Sequence, residues 1–222
     1  MAQTARKKGP AAPRVSAPDL PRALGEVDGL RRYDEVQESL ITGLEGEVDA
    51  GHANLNESIL RDAKVDRLDL TGATLVDVEI EELQATELVL RNARVRRVRL
   101  AGGRIGTLDL SGAEIDSLEL RDVRIDYLGL SGSTAQDVKV SGCRLRTLDV
   151  PLAKLKRVAF QESQAEEVDS RDLDAADVDL RGLDAHAFTA ITGLRGATLT
   201  ESQVRELAVQ MAFQAGIQVT EG

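Results

Sequence analysis

Large rings are nearly missing from this chain. Aromatic residues make up 2% of its 222 positions and tryptophan is absent, which excludes a globular core built on Trp and Phe. The single cysteine, Cys143, excludes an intrachain disulfide and fits a reducing compartment. Only two histidines occur, His52 and His186, too far apart in the chain to read as a shared metal or proton site. No apolar run approaches the ~20 residues of a membrane span. The basic residues near the N-terminus are not followed by the apolar stretch of a signal peptide, so the expected location is cytoplasmic. Positive charge is in the minority: the net charge is −10, poorly suited to non-specific binding of nucleic acid or an anionic membrane.

What the chain does have is a period. From Gly103 to Leu130 it reads GRIGTLDLSGAEIDSLELRDVRIDYLGL. Ile105, Leu110, Ile115, Leu120, Ile125 and Leu130 recur every five residues, each preceded two residues earlier by Gly103, Leu108, Ala113, Leu118, Val123 or Leu128. Neither a 3.6-residue helix nor a two-residue strand alternation produces this spacing. A chain that turns a corner every five residues does, burying two side chains per side, and four sides close a coil. Such a fixed short period signals a solenoid, which needs no large rings because each coil buries its aliphatic residues against the next.

The twenty-residue coil can be checked by sorting. One face collects Leu68, Leu88, Leu108, Leu128, Leu148, Val168 and Phe188; the next collects Ala53, Ala73, Ala93, Ala113, Ser133 and Ala153. A third holds Val78, Val98, Leu118, Val138, Val158 and Val178, and the fourth is mixed, with Ala63, Leu83, Gly103, Val123, Cys143, Ser163 and Leu183. Large and small residues on different sides fill a narrow interior without overpacking. Gly72, Gly112 and Gly132 fall at one corner and Gly102, Gly142 and Gly182 at the opposite one, where a type II turn favours glycine.

Ala53-Asn54-Leu55-Asn56-Glu57 matches the A(D/N)LXX motif, and looser pentads stay in phase from about Val48 to Ala190. In this the chain resembles the pentapeptide-repeat family. The resemblance implies an all-β solenoid, a right-handed quadrilateral β-helix, here of about seven coils at the usual strand spacing. Some members of that family protect DNA gyrase from fluoroquinolones as dimeric rods that imitate duplex DNA and join through their C-terminal ends.

The expected organisation has four parts: a disordered basic and Pro/Ala-rich tail over residues 1–19, an N-terminal cap or transition over 20–47, the β-helix over 48–199, and a capping helix with its tail over 200–222. In the tail, Arg6-Lys7-Lys8 reads either as solubilising charge or as a phosphate contact. Tyr33–Ile41 is expected to form a strand or irregular cap. Ala197 and Leu199 repeat the motif one register off. Thr200 then opens the helix, Gln203 is placed for a capping box, and Gly216 stops it. Val204, Leu207, Ala208, Met211 and Ala215 form the face expected to cover the core. Val209 and Phe213 lie on the opposite side, as a candidate dimer contact or as a surface covered by Ile217 and Val219.

No catalytic constellation emerges, and no cofactor or metal is expected. Each glycine stands alone at its corner, unlike a phosphate-cradling loop, and Cys143 at an inward position reads as a structural thiol. Two charged rows remain. Asp69, Asp109, Asp149 and Asp169 form a candidate acidic interaction stripe, and Arg104, Arg124 and Arg144 a candidate basic stripe. Taken together, the chain reads as a non-catalytic scaffold that binds another protein. The resemblance adds an alternative, a DNA mimic directed at gyrase, against which the basic run from Arg91 to Arg104 and the gaps in the acidic row both count.

Overall fold

The computed structural model of the chain describes residues 9–220. Two long parallel sheets wrap one apolar core. An eleven-stranded sheet begins at Gly25–Asp28 and ends at Ala197–Thr198; an eight-stranded sheet runs from Glu45–Asp49 to Leu183–Phe188. The chain alternates between them, so each circuit adds one strand to either sheet. The result is a β-solenoid of about eight turns, closed by a C-terminal helix at Glu201–Gln214.

The register is the twenty-residue phase read from the sequence. Leu68 pairs with Leu88, Leu88 with Leu108, Leu108 with Leu128, and so on to Phe188. All four sorted rows point inward, and every member is buried except Gly103, which is half-buried. Each eight-residue strand spans two sides and bends at its fourth residue. These bends fall at Glu57, Asp77, Arg97, Ser117, Asp137 and Arg157, and Asp177 continues the column in the six-residue strand Asp174–Asp179, every one with positive φ. None of them is β-branched, the class of side chain for which that region is a real outlier.

Gly72, Gly112, Gly132, Gly102 and Gly142 have positive φ, as their corners require. Gly182 is a correction: its φ lies outside the left-handed region, and it is needed for a different reason. A Cβ there would sit 2.2 Å from the carbonyl oxygen of Phe160 on the preceding coil.

The coils also begin earlier than the sequence phase indicates. Within 20–47, the strands Gly25–Asp28, Glu35–Gln37, Ser39–Thr42 and Glu45–Asp49 already pair in parallel. They escape the five-residue count because their register slips: Leu40 pairs with Ile59, and the offset returns to twenty only past an irregularity between Gly46 and Glu47. At the other end, Val178 pairs with Ala197, the one-residue slip expected there. A short 3-10 helix, Ile191–Leu194, fills the broken side.

Only the described part of the tail can be compared with the expected disorder, and it is held against the rod. Residues 1–8, with Arg6-Lys7-Lys8, lie outside the described residues. Residues 9–19 are laid along the outside of the rod, with four backbone N–H groups bonded to it.

One defect stands out in the core. Ser133 occupies the alanine row between Ala113 and Ala153, and its Oγ is buried with no hydrogen-bond partner among the described residues. An unsatisfied buried hydroxyl costs about 1–3 kcal/mol, and the row already accepts alanine. Ser133→Ala should therefore raise stability by about 1 kcal/mol. Leu118→Ala, on the bulky side, should lower it by about 2–4 kcal/mol through lost burial and a cavity. Urea unfolding midpoints compare the two; a Ser133→Ala midpoint below that of the parent protein would contradict the assignment.

Candidate functional site

Residues twenty apart meet across neighbouring strands, about 4.8 Å from each other. A surface row is therefore a column of side chains in contact, and its chemistry depends on whether its members attract or repel.

The aspartate row is engaged by the fold. Asp69 Oδ1 accepts the Thr71 N–H at 2.9 Å, Asp109 Oδ1 the Ser111 N–H at 3.0 Å, and Asp169 Oδ1 the Arg171 N–H at 3.1 Å. Each forms an Asx turn that rounds the next corner. The second oxygen takes an arginine: Arg67 for Asp69, Arg91 for Asp109, Arg171 for Asp169. Asp149 accepts the Tyr127 hydroxyl at 2.7 Å; burial and that bond to Asp149 push the phenol up to about 12. Burial raises the Asp69 and Asp109 carboxyls, but hydrogen bonds from Thr71 and Arg67 to the first, and from Ser111 and Arg91 to the second, outweigh it and leave both below their ordinary value. Asp69, Asp109 and Asp169 thus hold turns and are matched by cations, while Asp149 is held by a neutral hydroxyl.

The third face neutralises itself. Glu79, Arg99, Glu119 and Lys139 stack in register, and Arg99 bonds Glu79 at 3.2 Å and Glu119 at 2.8 Å. The fourth face does not. Arg104, Arg124 and Arg144 occupy adjacent strands in direct register. Asp126 reaches Arg104 at 3.5 Å and Arg124 at 3.9 Å, while Arg144 and Arg146 make no ion pair among the described residues. These arginines, with Gln164, Glu166 and His186, line one open groove. His186 lies in the last strand of its sheet and His52 near the first, stacked on Tyr33, so the two are held apart as expected.

Cys143 is fully buried, its N–H bonded to Ser163 Oγ and its thiol to the Ser141 carbonyl. Burial pushes the thiol pKa up, which leaves it a poor nucleophile. The apolar void beneath Leu110, Leu130 and Leu180 measures about 30 Å³, far below the roughly 300–1,000 Å³ of a small-molecule site.

A further column escaped the sequence reading because its members differ in type. At the bends of the eleven-stranded sheet, Asp77 receives Arg97 and Asp137 receives Arg157, each guanidinium Nε approaching at 2.6 Å. Asp77 is 3% exposed and Asp137 6%. Arg97 and Arg157 hold these two carboxyls below their ordinary value. The signal was present as two Asp–Arg pairs at residues twenty apart, Asp77 with Arg97 and Asp137 with Arg157.

The helix also departs from the expected face. Leu207 is buried and Met211 packs on the core, but Val204 is 40% exposed, and Ala208 and Ala215 are exposed. The side turned to the rod instead carries Gln203, Leu207, Gln210 and Gln214, rotated by roughly 90° at ~100° per residue. The cause is polar. The last coil has no strand above it, and its carbonyls need donors. Gln203 Nε2 donates to the carbonyls of Leu180 and Leu183, Gln210 Nε2 to Phe188, and Gln214 Nε2 to Thr189. The Thr200/Gln203 capping box is formed. At the other end Gly216 has positive φ, Gly216 N–H bonds Phe213, and Ile217 N–H bonds Ala212, a Schellman stop.

The architecture and these rows define a parallel β-solenoid with a five-residue repeat. No family model matches the chain, and no curated protein matches it. Among solved structures it is similar to two trypsin-treated variants of QnrB1, a plasmid-mediated fluoroquinolone resistance protein. Both are 15% identical over 89% and 90% of this chain and 100% of theirs, with TM-scores of 0.33 and 0.27. Likeness at that level carries no argument about function; the class rests on the five-residue phase and the strand register.

The buried carboxylates predict an acid transition. A carboxyl whose folded pKa is depressed adds stability that is fully present above its unfolded value, near 4, and is lost as pH falls through the folded value. Melting temperature should thus be flat from about pH 7 to 5 and fall below about pH 4. Asp77→Asn should lower it at pH 7 and flatten the acid slope; an unchanged slope would remove Asp77 from the explanation.

Proposed function

We propose that the protein is a non-catalytic scaffold whose arginine row docks an acidic segment of a protein partner. A single contrast carries the reading. Like charges placed directly opposite in a sheet are destabilising, and the third face shows this chain alternating its charges to avoid that. On the fourth face, three arginines stack without alternation, on a molecule of net charge −10. Asp126 answers Arg104 and Arg124 only at 3.5 and 3.9 Å, and Arg144 has no ion pair among the described residues; an external anion would complete the row. An extended acidic peptide lying along the groove would meet a guanidinium at every coil, and arginine favours carboxylates through its bidentate geometry.

The gyrase-directed alternative implied by the resemblance needs a line of free carboxylates imitating phosphates. Asp69, Asp109 and Asp169 each spend one oxygen on a backbone N–H and the other on an arginine, so the geometry favours the arginine row over that stripe. Affinity capture from the source cell, read by mass spectrometry, tests the choice. A partner should be retained by the parent protein, lost with Arg124→Glu/Arg144→Glu, and weakened at least tenfold between about 0.05 and 0.5 M salt, where screening shortens the reach of exposed charge. Capture that survives the charge reversal would remove the arginine row as the docking surface.

The scaffold is proposed to act as a homodimer through the outer side of the helix. Phe213 is 66% exposed and Val209 52%, and Ile217 and Val219, which could have folded over them, are themselves exposed. This leaves a contiguous apolar end of the kind that self-associates through an isologous two-fold contact. Light scattering after size exclusion should give a dimer at micromolar protein and a monomer for Phe213→Glu. A monomer in both cases would rule this interface out.

A further inference from the structure

The extended N-terminal segment follows the bend column closely. Ala11 N–H donates to Asp177 Oδ1 at 3.0 Å, Arg14 N–H to Asp137 Oδ1 at 2.8 Å, Ser16 N–H to Ser117 Oγ at 2.9 Å, and Asp19 N–H to Asp77 Oδ1 at 2.9 Å. Ser117 Oγ in turn donates to the Ser16 carbonyl at 3.3 Å. The segment therefore runs from the late coils back to the early ones.

Its step matches that of the rod. From Ala11 to Asp19 is eight residues, about 25 Å at the ~3.1 Å rise of polyproline II. From Asp177 to Asp77 is five coils, about 24 Å at ~4.8 Å per strand. Three residues of the segment cover two coils at either end, so its donors meet Asp77, Ser117, Asp137 and Asp177 while Arg97 and Arg157 sit between them. The inward side keeps the same step. Pro10, Pro13, Val15, Pro18 and Leu20 are half-buried, the residues between them are exposed, and each of the first four is followed directly by a donor. Proline at these positions withholds an N–H where none is needed and fixes φ near its bound value, which lowers the ordering cost.

We propose that this bend column is a binding track for extended, proline-punctuated peptide, and that its resident ligand is the chain's own residues 9–20, which close it in cis. The track reads backbone N–H groups through fixed acceptors and reads side chains only where they turn inward. Arg97 and Arg157 orient two of its four acceptors, Asp77 and Asp137. An incoming peptide of the same spacing competes with the resident strap for these acceptors.

The test uses the full-length chain. In the parent protein, amide exchange followed by NMR should be at least tenfold slower at Arg14, Ser16 and Asp19 than at Ala12 and Ala17. Replacing donors with proline keeps the backbone extended but deletes the bonds. A fluorescein-labelled peptide of residues Gly9–Leu20 should then bind Ala11→Pro/Ser16→Pro/Asp19→Pro saturably, and at least tenfold more tightly than the parent protein. Ala12→Pro/Ala17→Pro, which spares every donor, should behave as the parent. Equal exchange along the segment would overturn the proposal without recourse to any variant. Peptide binding that is equal in all three proteins, or absent from the donor-deleted one, would overturn it too.

Discussion

The in-register parallel ladder is the constraint on which the rest of this molecule depends. Once strands stack at twenty residues per coil, every side chain is placed against the residues twenty before and twenty after it. Inward residues then pack against members of their own row, and a single buried hydroxyl at Ser133 becomes a defect because its neighbours in the row are alanines. Outward rows must match in charge or pay the repulsion. Glu79, Arg99, Glu119 and Lys139 match; Arg104, Arg124 and Arg144 do not, and this exception is what gives one face a function to argue for.

Corners impose the second demand. A chain that turns this often spends residues in the left-handed region and strands backbone groups that need partners. Glycine meets the first need at some corners, while Asp, Asn, Glu and Arg meet it at others. The aspartates that round the corners of the first face meet the second, by accepting the N–H two residues on. Asp69, Asp109, Asp169 and Asp179 are in this way tied to the turns that follow them.

The ends and the long edge of the rod obey the same accounting. Above the last coil, Gln203, Gln210 and Gln214 supply amide donors that a purely apolar helix face could not. Beside the bends, the N-terminal strap supplies N–H groups to carboxylates that Arg97 and Arg157 satisfy only in part. Both features cover places where the regular repeat stops satisfying its own polar groups, and both leave apolar or charged surface exposed elsewhere: Phe213 and Val209 outside the helix, the arginine row on the open groove.

By itself, the sequence determined the coil. Which residues point inward depends only on phase within five, so the leucine, alanine, valine and mixed rows could be sorted from Leu68 to Phe188 without any knowledge of contacts, as could the register slip at Ala197 and the capping box at Thr200. The slipped coils before Val48 were hidden because one missing residue breaks the count. The tertiary structure decided everything that depends on a partner distant in the chain. Asp109 reads as free charge until Arg91 and the Ser111 N–H are seen on it, and the helix face reads as Val204, Ala208 and Ala215 until the open carbonyls of the last coil are placed beneath it. Ala11 meets Asp177 across 166 residues and Asp19 meets Asp77 across 58. A local period carries no information about such pairs, because they are set by how far the stacked coils have climbed when the two ends of the chain come alongside.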